Sequence, residues 1–116
     1  DVGVVDPNKL IDDFIEPEFD IYLYNRFYNW EFAAQYLLKN NDRGRKWLST
    51  WAEMEFTLPK SFHGTDNGAL HILMMHYLSP EAANRDSSIG RLCRSMWESS
   101  ANMNDLFTMQ ACTRLV

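Results

Sequence analysis

The chain has 116 residues, enough for one domain or for part of a larger one. Hydrophobic residues make up 46% of it and aromatics 14%, which supports a real core and excludes a disordered chain. The net charge of −5 without any basic run excludes a phosphate-backbone binder, and no apolar stretch approaches membrane-spanning length.

The first element is short. Val2 to Val5 is apolar and β-branched, so it reads as a buried strand. No secretory signal pattern precedes it, and the opening looks internal to a longer chain. Asp6-Pro7 then reads as an N-cap followed by a first-turn proline. Leu10, Ile11, Phe14 and Ile15 form the apolar face of a short helix that Pro17 ends. Ile21 to Tyr24 and Phe32 to Leu38 are two further strands, the second closed by the turn residues Lys39-Asn40-Asn41-Asp42.

The rest is helical. Asp42 is placed to cap a helix carrying Trp47, Leu48, Trp51 and Met54 on one face, with Pro59 beyond its end. Thr65 is placed to cap the next, where Leu70, Leu73, Met74, Tyr77 and Leu78 recur at helical spacing until Ser79-Pro80 stops it. Ile89, Leu92, Cys93, Met96 and Trp97 mark an amphipathic helix, and Asp105 to Leu115 a last one with a weaker pattern. Trp47, Trp51, Leu73 and Trp97 are expected in the core. Three strands joined by helices predict an α/β layer with a mixed sheet. So small a sheet, with an apolar first strand, suggests that further strands lie N-terminal to it.

Cys93 and Cys112 lack zinc-site spacing, and either a disulfide or two buried thiols suits them. No Asn-x-Ser/Thr sequon, P-loop, GxGxxG or Ser–His–Asp order is present. Arg43, Arg45 and Lys46 read as a solvated helix face, and His71 and His76 as partly buried core histidines.

The stretch Ser61 to Leu70 concentrates chemistry. Asp66 falls in the first helical turn, where free N–H groups favour an anion, and His63-Gly64 forms the loop leading in. The plain reading of Asp66 is support of a helix start; the functional one is a polar site at the mouth of a cleft. Asp1 and Asp6 flank the first strand, and a carboxylate at a strand tip faces the crevice where α/β sheets bind ligands. Asp6 reads better as a cap. Asn25, Arg26, Asn29 and Glu31 lie in an aromatic segment that could line a sugar or nucleotide site, or be a loop with aromatics beneath it.

Four blocks in order carry a resemblance: Asp1-Val-Gly-Val-Val-Asp-Pro7, Arg26-Phe-Tyr-Asn-Trp-Glu31, Tyr36-Leu-Leu-Lys-Asn40 and His63-Gly-Thr-Asp-Asn-Gly-Ala-Leu70. Together they resemble a nematode-expanded family of nucleotide-diphospho-sugar transferase-like proteins. That family looks like a branch of the GT-A glycosyltransferases, near the retaining galactosyl- and xylosyltransferases. The resemblance covers nearly all of residues 1–116, and His63 to Asn67 is its most specific part.

The resemblance implies the C-terminal part of a GT-A-like, Rossmann-like mixed-sheet domain, without its N-terminal nucleotide-binding half. Asp1 looks like the second carboxylate of an Asp-x-Asp motif that binds a divalent metal, manganese as a rule, and the donor diphosphate. Asn29, Glu31 and Ala34 fall on the strand beside the donor sugar. Ala34-Gln35 stands where Gly and a small residue are common, which weakens the case for close backbone approach. Asp66-Asn67 resembles the Asp-Gln pair facing the transferred sugar, with Asp66 stabilising a cationic centre and Asn67 binding the donor. His63 and Gly64 would belong to an acceptor-side loop. A metal-binding His is expected beyond Val116. The implied partners are a nucleotide sugar and a glycan acceptor, with no nucleic acid and no membrane span in this stretch. The implied setting is the Golgi lumen, in a type II membrane protein. The alternative is a noncatalytic relative that binds or scaffolds carbohydrate.

Overall fold

The computed structural model describes residues 6–26, 31–84 and 87–116. It is a mixed α and β structure. Strands β1 (Ile21–Arg26) and β2 (Glu31–Leu38) pair antiparallel, and helices α1 (Asp42–Glu53), α2 (Asp66–Leu78), α3 (Pro80–Ala83), α4 (Ser88–Ser99) and α5 (Met103–Leu115) come after them. The expected strand Val2 to Val5 lies outside the described residues. Among those described, the sheet comprises β1 and β2.

The hairpin register is Ile21 opposite Leu38, Tyr22 opposite Leu37 and Leu23 opposite Tyr36. It then slips, so that Tyr24 faces Ala33 and Arg26 faces Glu31. Ala34 and Gln35 are therefore left without partners on β1, which makes a bulge. A bulge adds local twist and re-aims the strand on either side of it. Ile21, Leu23, Phe32 and Leu38 pack against Trp47, Leu70 and Leu73. Tyr24 and Leu37 lie outside and are exposed.

Helix α2 is the centre of the molecule. Gly68 to Leu73 and Met75 are all buried. The spacing predicts a single apolar stripe, but both sides of α2 are covered, by β2 and α1 on one side and by α3, α4 and α5 on the other. A helix enclosed in this way needs apolar residues all round. Its last turn emerges, with Tyr77 and Leu78 exposed. Ala69, Ile72, Met75, Ala82, Cys93, Trp97, Leu106 and Met109 form one core cluster; Trp47, Leu70 and Leu73 form the other. Of the four expected core residues, Trp47, Leu73 and Trp97 are buried, while Trp51 is half-buried and touches both clusters.

Cys93 and Cys112 form a disulfide with a Cα–Cα distance of 5.5 Å. It ties α4 to α5, and no free cysteine remains among the described residues.

Several helix ends differ from expectation. The helix at Leu10 to Ile15 is a single 3-10 turn, Ile11–Phe14, and its apolar residues are exposed. Asp6 caps no helix. Its Oδ1 accepts the Asn8 N–H at 2.9 Å, holding a local turn instead. Asn41, not Asp42, caps α1, because its Oδ1 accepts the Gly44 N–H at 2.8 Å. Asp42 is then the first helical residue, where its charge still suits the dipole. Thr65 holds the N-cap position of α2, but its side chain accepts no first-turn N–H. Pro80 does end α2, yet it also opens α3, since Ser79 accepts the Ala82 N–H. Helix α5 begins earlier than expected, with Asn102 Oδ1 taking the N–H groups of Asn104 and Asp105.

Candidate functional site

The loop before α2 is held from two sides. Phe62 N–H donates to the Ser100 carbonyl at 2.8 Å, and the Ser100 hydroxyl donates back to the Phe62 carbonyl at 2.7 Å. The Trp97 indole N–H donates to the His63 carbonyl at 2.9 Å. His63 itself has a φ of 54°, in the left-handed region. A Cβ on Gly64 would lie 1.9 Å from the Pro59 carbonyl oxygen. One on Gly68 would lie 2.3 Å from both the His63 carbonyl oxygen and the Trp97 indole nitrogen. The two glycines let the loop close onto α2 and α4.

This frame sets the first turn of α2. Asp66 is exposed and lines a shallow cavity of about 370 Å³, together with Tyr36, Leu48, Trp51, Ala52, Glu55 and others. Its side chain makes no ion pair among the described residues. Its carbonyl accepts the Trp51 indole N–H at 3.0 Å. The next residue turns away by about 100°, as successive helical positions must. Asn67 is half-buried, and its buried Oδ1 has no hydrogen-bond partner among the described residues.

Glu31 opens β2. It is buried and pairs with Arg26 at 2.9 Å across the hairpin. Beside it, the Phe32 N–H donates to His71 Nε2 at 3.2 Å. This fastens the strand to α2 little more than one turn beyond Asp66. The His71 ring lies 5.2 Å from that of Phe32, and the Arg114 guanidinium sits 4.4 Å over the same phenyl ring. Arg114 also donates to Asn25 Oδ1 at 2.7 Å. Burial, and secondarily the Arg114 charge, push the His71 pKa down to about 3. His71 is therefore neutral, and it accepts at Nε2 with its proton on Nδ1. His76 is half-buried, and burial followed by Arg94 lowers its pKa as well. His71 is buried in the core, and His76 is half-buried beside surface cavities. Arg43 and Arg45 are exposed and paired with Asp20 and Asp42 respectively.

His63, Gly64, Asp66 and Asn67 thus share one helix start. Ala34 lies in the β2 bulge, two residues before the cavity residue Tyr36. Asp1 and Asn29 lie outside the described residues. Among the described residues, no three of His, Cys, Asp and Glu converge as metal ligands.

All of residues 1–116 match the model of the family described as "Protein of unknown function, DUF273". The chain belongs to that family. No curated protein and no solved structure matches it.

In this DUF273 chain, Tyr36, Trp51 and Glu55 line the cavity, although the sequence marks none of them as a site residue. Trp51 lies one helical turn beyond Trp47, so periodicity assigns both to the core. The only signal for Tyr36 is an aromatic near the end of a strand. Glu55 lies in a 3-10 turn, Met54–Thr57, whose path spacing does not reveal.

Proposed function

We propose that residues 1–116 are part of a GT-A-type glycosyltransferase domain, which moves a sugar from a nucleotide-diphospho-sugar to a glycan acceptor. The observation that carries the reading is the position of Asp66. It is a carboxylate without an ion-pair partner among the described residues, at a cavity mouth, on the first turn of a helix that the rest of the fold clamps in place. Glycosyl transfer passes through an oxocarbenium-like sugar, and a fixed carboxylate stabilises that charge without reorganising. The β2 bulge at Ala34 and Gln35 adds support, since bulges often sit beside active sites. A disulfide suits an oxidising lumen such as the Golgi, which the resemblance implies. By the resemblance, Asp1 would help to hold manganese and the donor diphosphate, and the metal would stabilise the charge on the leaving diphosphate.

The deciding measurement uses the full-length protein with manganese and a panel of nucleotide sugars. Asp66→Asn should lower transfer or donor hydrolysis by about 10²–10³ and leave the melting temperature unchanged, because Asn also suits a helix start. Equal activity in both proteins removes Asp66 from the mechanism. A noncatalytic carbohydrate-binding role is the second reading. The aromatic lining of the same cavity favours it, and failure of the wild type to bind any nucleotide sugar would select it.

A further inference from the structure

We propose that the cavity between β2, α1 and the start of α2 is a subsite for a neutral sugar ring, with Trp51 as its stacking platform and Glu55 and Asp66 as acceptors for its hydroxyls. This rests on the reading that the chain acts on carbohydrate, but not on catalysis. The volume of about 370 Å³ is at the small end for ligand sites and suits one or two sugar rings.

The indole is fixed before anything binds. Its N–H is tied to the Asp66 carbonyl, and it meets Tyr36 edge-on at 5.7 Å and Trp47 at 5.5 Å. A ring already held loses little conformational freedom when a ligand stacks on it. The open part of this half-buried ring covers the apolar C–H face of a pyranose. Tyr36 is exposed at the same cavity and contributes further area.

The polar lining sets the selectivity. Glu55 and Asp66 are both exposed carboxylates at this cavity, and neither has an ion-pair partner among the described residues. Carboxylates accept hydrogen bonds from sugar hydroxyls. The same two charges repel a uronic acid, so a neutral sugar is favoured.

The test titrates the full-length protein with methyl glucoside, methyl galactoside, methyl xyloside and glucuronate, followed by tryptophan fluorescence and saturation-transfer NMR. At least one neutral glycoside should bind, with glucuronate weaker by about tenfold or more. Trp51→Ala should weaken the neutral sugar about tenfold, and Trp51→Phe should retain most of the binding. Glu55→Gln, an exposed change that leaves folding intact, should narrow the gap between glucuronate and the neutral sugars. The proposal is overturned if no glycoside binds, if glucuronate binds as well as glucoside, or if neither the Trp51 nor the Glu55 variants alter the profile. If a nucleotide sugar binds and is turned over but these results fail, the subsite falls and the glycosyltransferase reading stands. Glycoside binding through Trp51 without any transfer gives the reverse.

Discussion

His71 gives the fold a pH dependence that can be calculated. Its ring is 1% exposed, it accepts the Phe32 N–H, and its pKa falls from 6.5 to about 3. The unfolded chain therefore takes up a proton near pH 6.5 that the folded chain refuses until about pH 3. Between those values the unfolded state binds more protons, so stability falls as the pH is lowered. Each pH unit in the window costs about 1.4 kcal/mol. From about pH 7 to pH 5 the loss attributable to His71 is ~2 kcal/mol, rising to ~4 kcal/mol near pH 3. The upper part of the window is the diagnostic one, because ordinary carboxylates titrate below it. His76 acts in the same direction.

The assay is urea unfolding at closely spaced pH values for wild type and His71→Gln. Glutamine keeps an acceptor for the Phe32 N–H but has no proton to gain. It should remove most of the slope above about pH 5. An identical slope in both proteins would refute the assignment to His71. So would a His71 ring that titrates near its ordinary value in the folded protein.

Two further outcomes are expected from the packing. Gly68→Ala should destabilise by about 2–4 kcal/mol despite its better helix propensity, because the new methyl separates Trp97 from the His63 carbonyl; thermal unfolding measures it, and a neutral effect would refute the close approach. Replacing both Cys93 and Cys112 with Ala should cost about 3 kcal/mol, given the 19-residue separation of the bridge. Chemical unfolding in the presence and absence of reductant checks this, and a wild type indifferent to reductant would argue against the bridge.

Some features are plain in the sequence and others are hidden for physical reasons. Helix positions are legible wherever apolar periodicity runs long, as at Trp47 to Met54 and Ile89 to Trp97. End residues are less so, because Asn41 and Asp42 are both good caps and only geometry decides between them. The 3-10 turn at Ile11–Phe14 carries a helical apolar pattern, but its face finds no cover among the described residues. The bulge at Ala34 and Gln35 leaves no mark in composition, since an even slip preserves the alternation of faces. In the candidate site, His63 to Asn67 stands out because a glycine and a carboxylate crowd a helix start. Trp51 does not, because a half-exposed and a buried tryptophan look alike in a helical stripe.

The covalent bridge divides the molecule's resistance to opening unevenly. It lies on the α4–α5 side, so those helices and the α2 face beneath them share a strengthened unit. The hairpin side has no covalent tether among the described residues and is held by packing on Trp47, Leu70 and Leu73, by the His71 bond, by the Asp20 ion pairs and by the Arg114 contacts to Asn25 and Phe32. Local openings take the weaker unit first. Trp51 and Met54 belong to both clusters and so mark the seam. The cavity beside Asp66 lies on that seam, with its aspartate on the stiff partner and Tyr36 on the yielding one. Breathing of the hairpin would thus widen or narrow the cavity while its carboxylate stays in place.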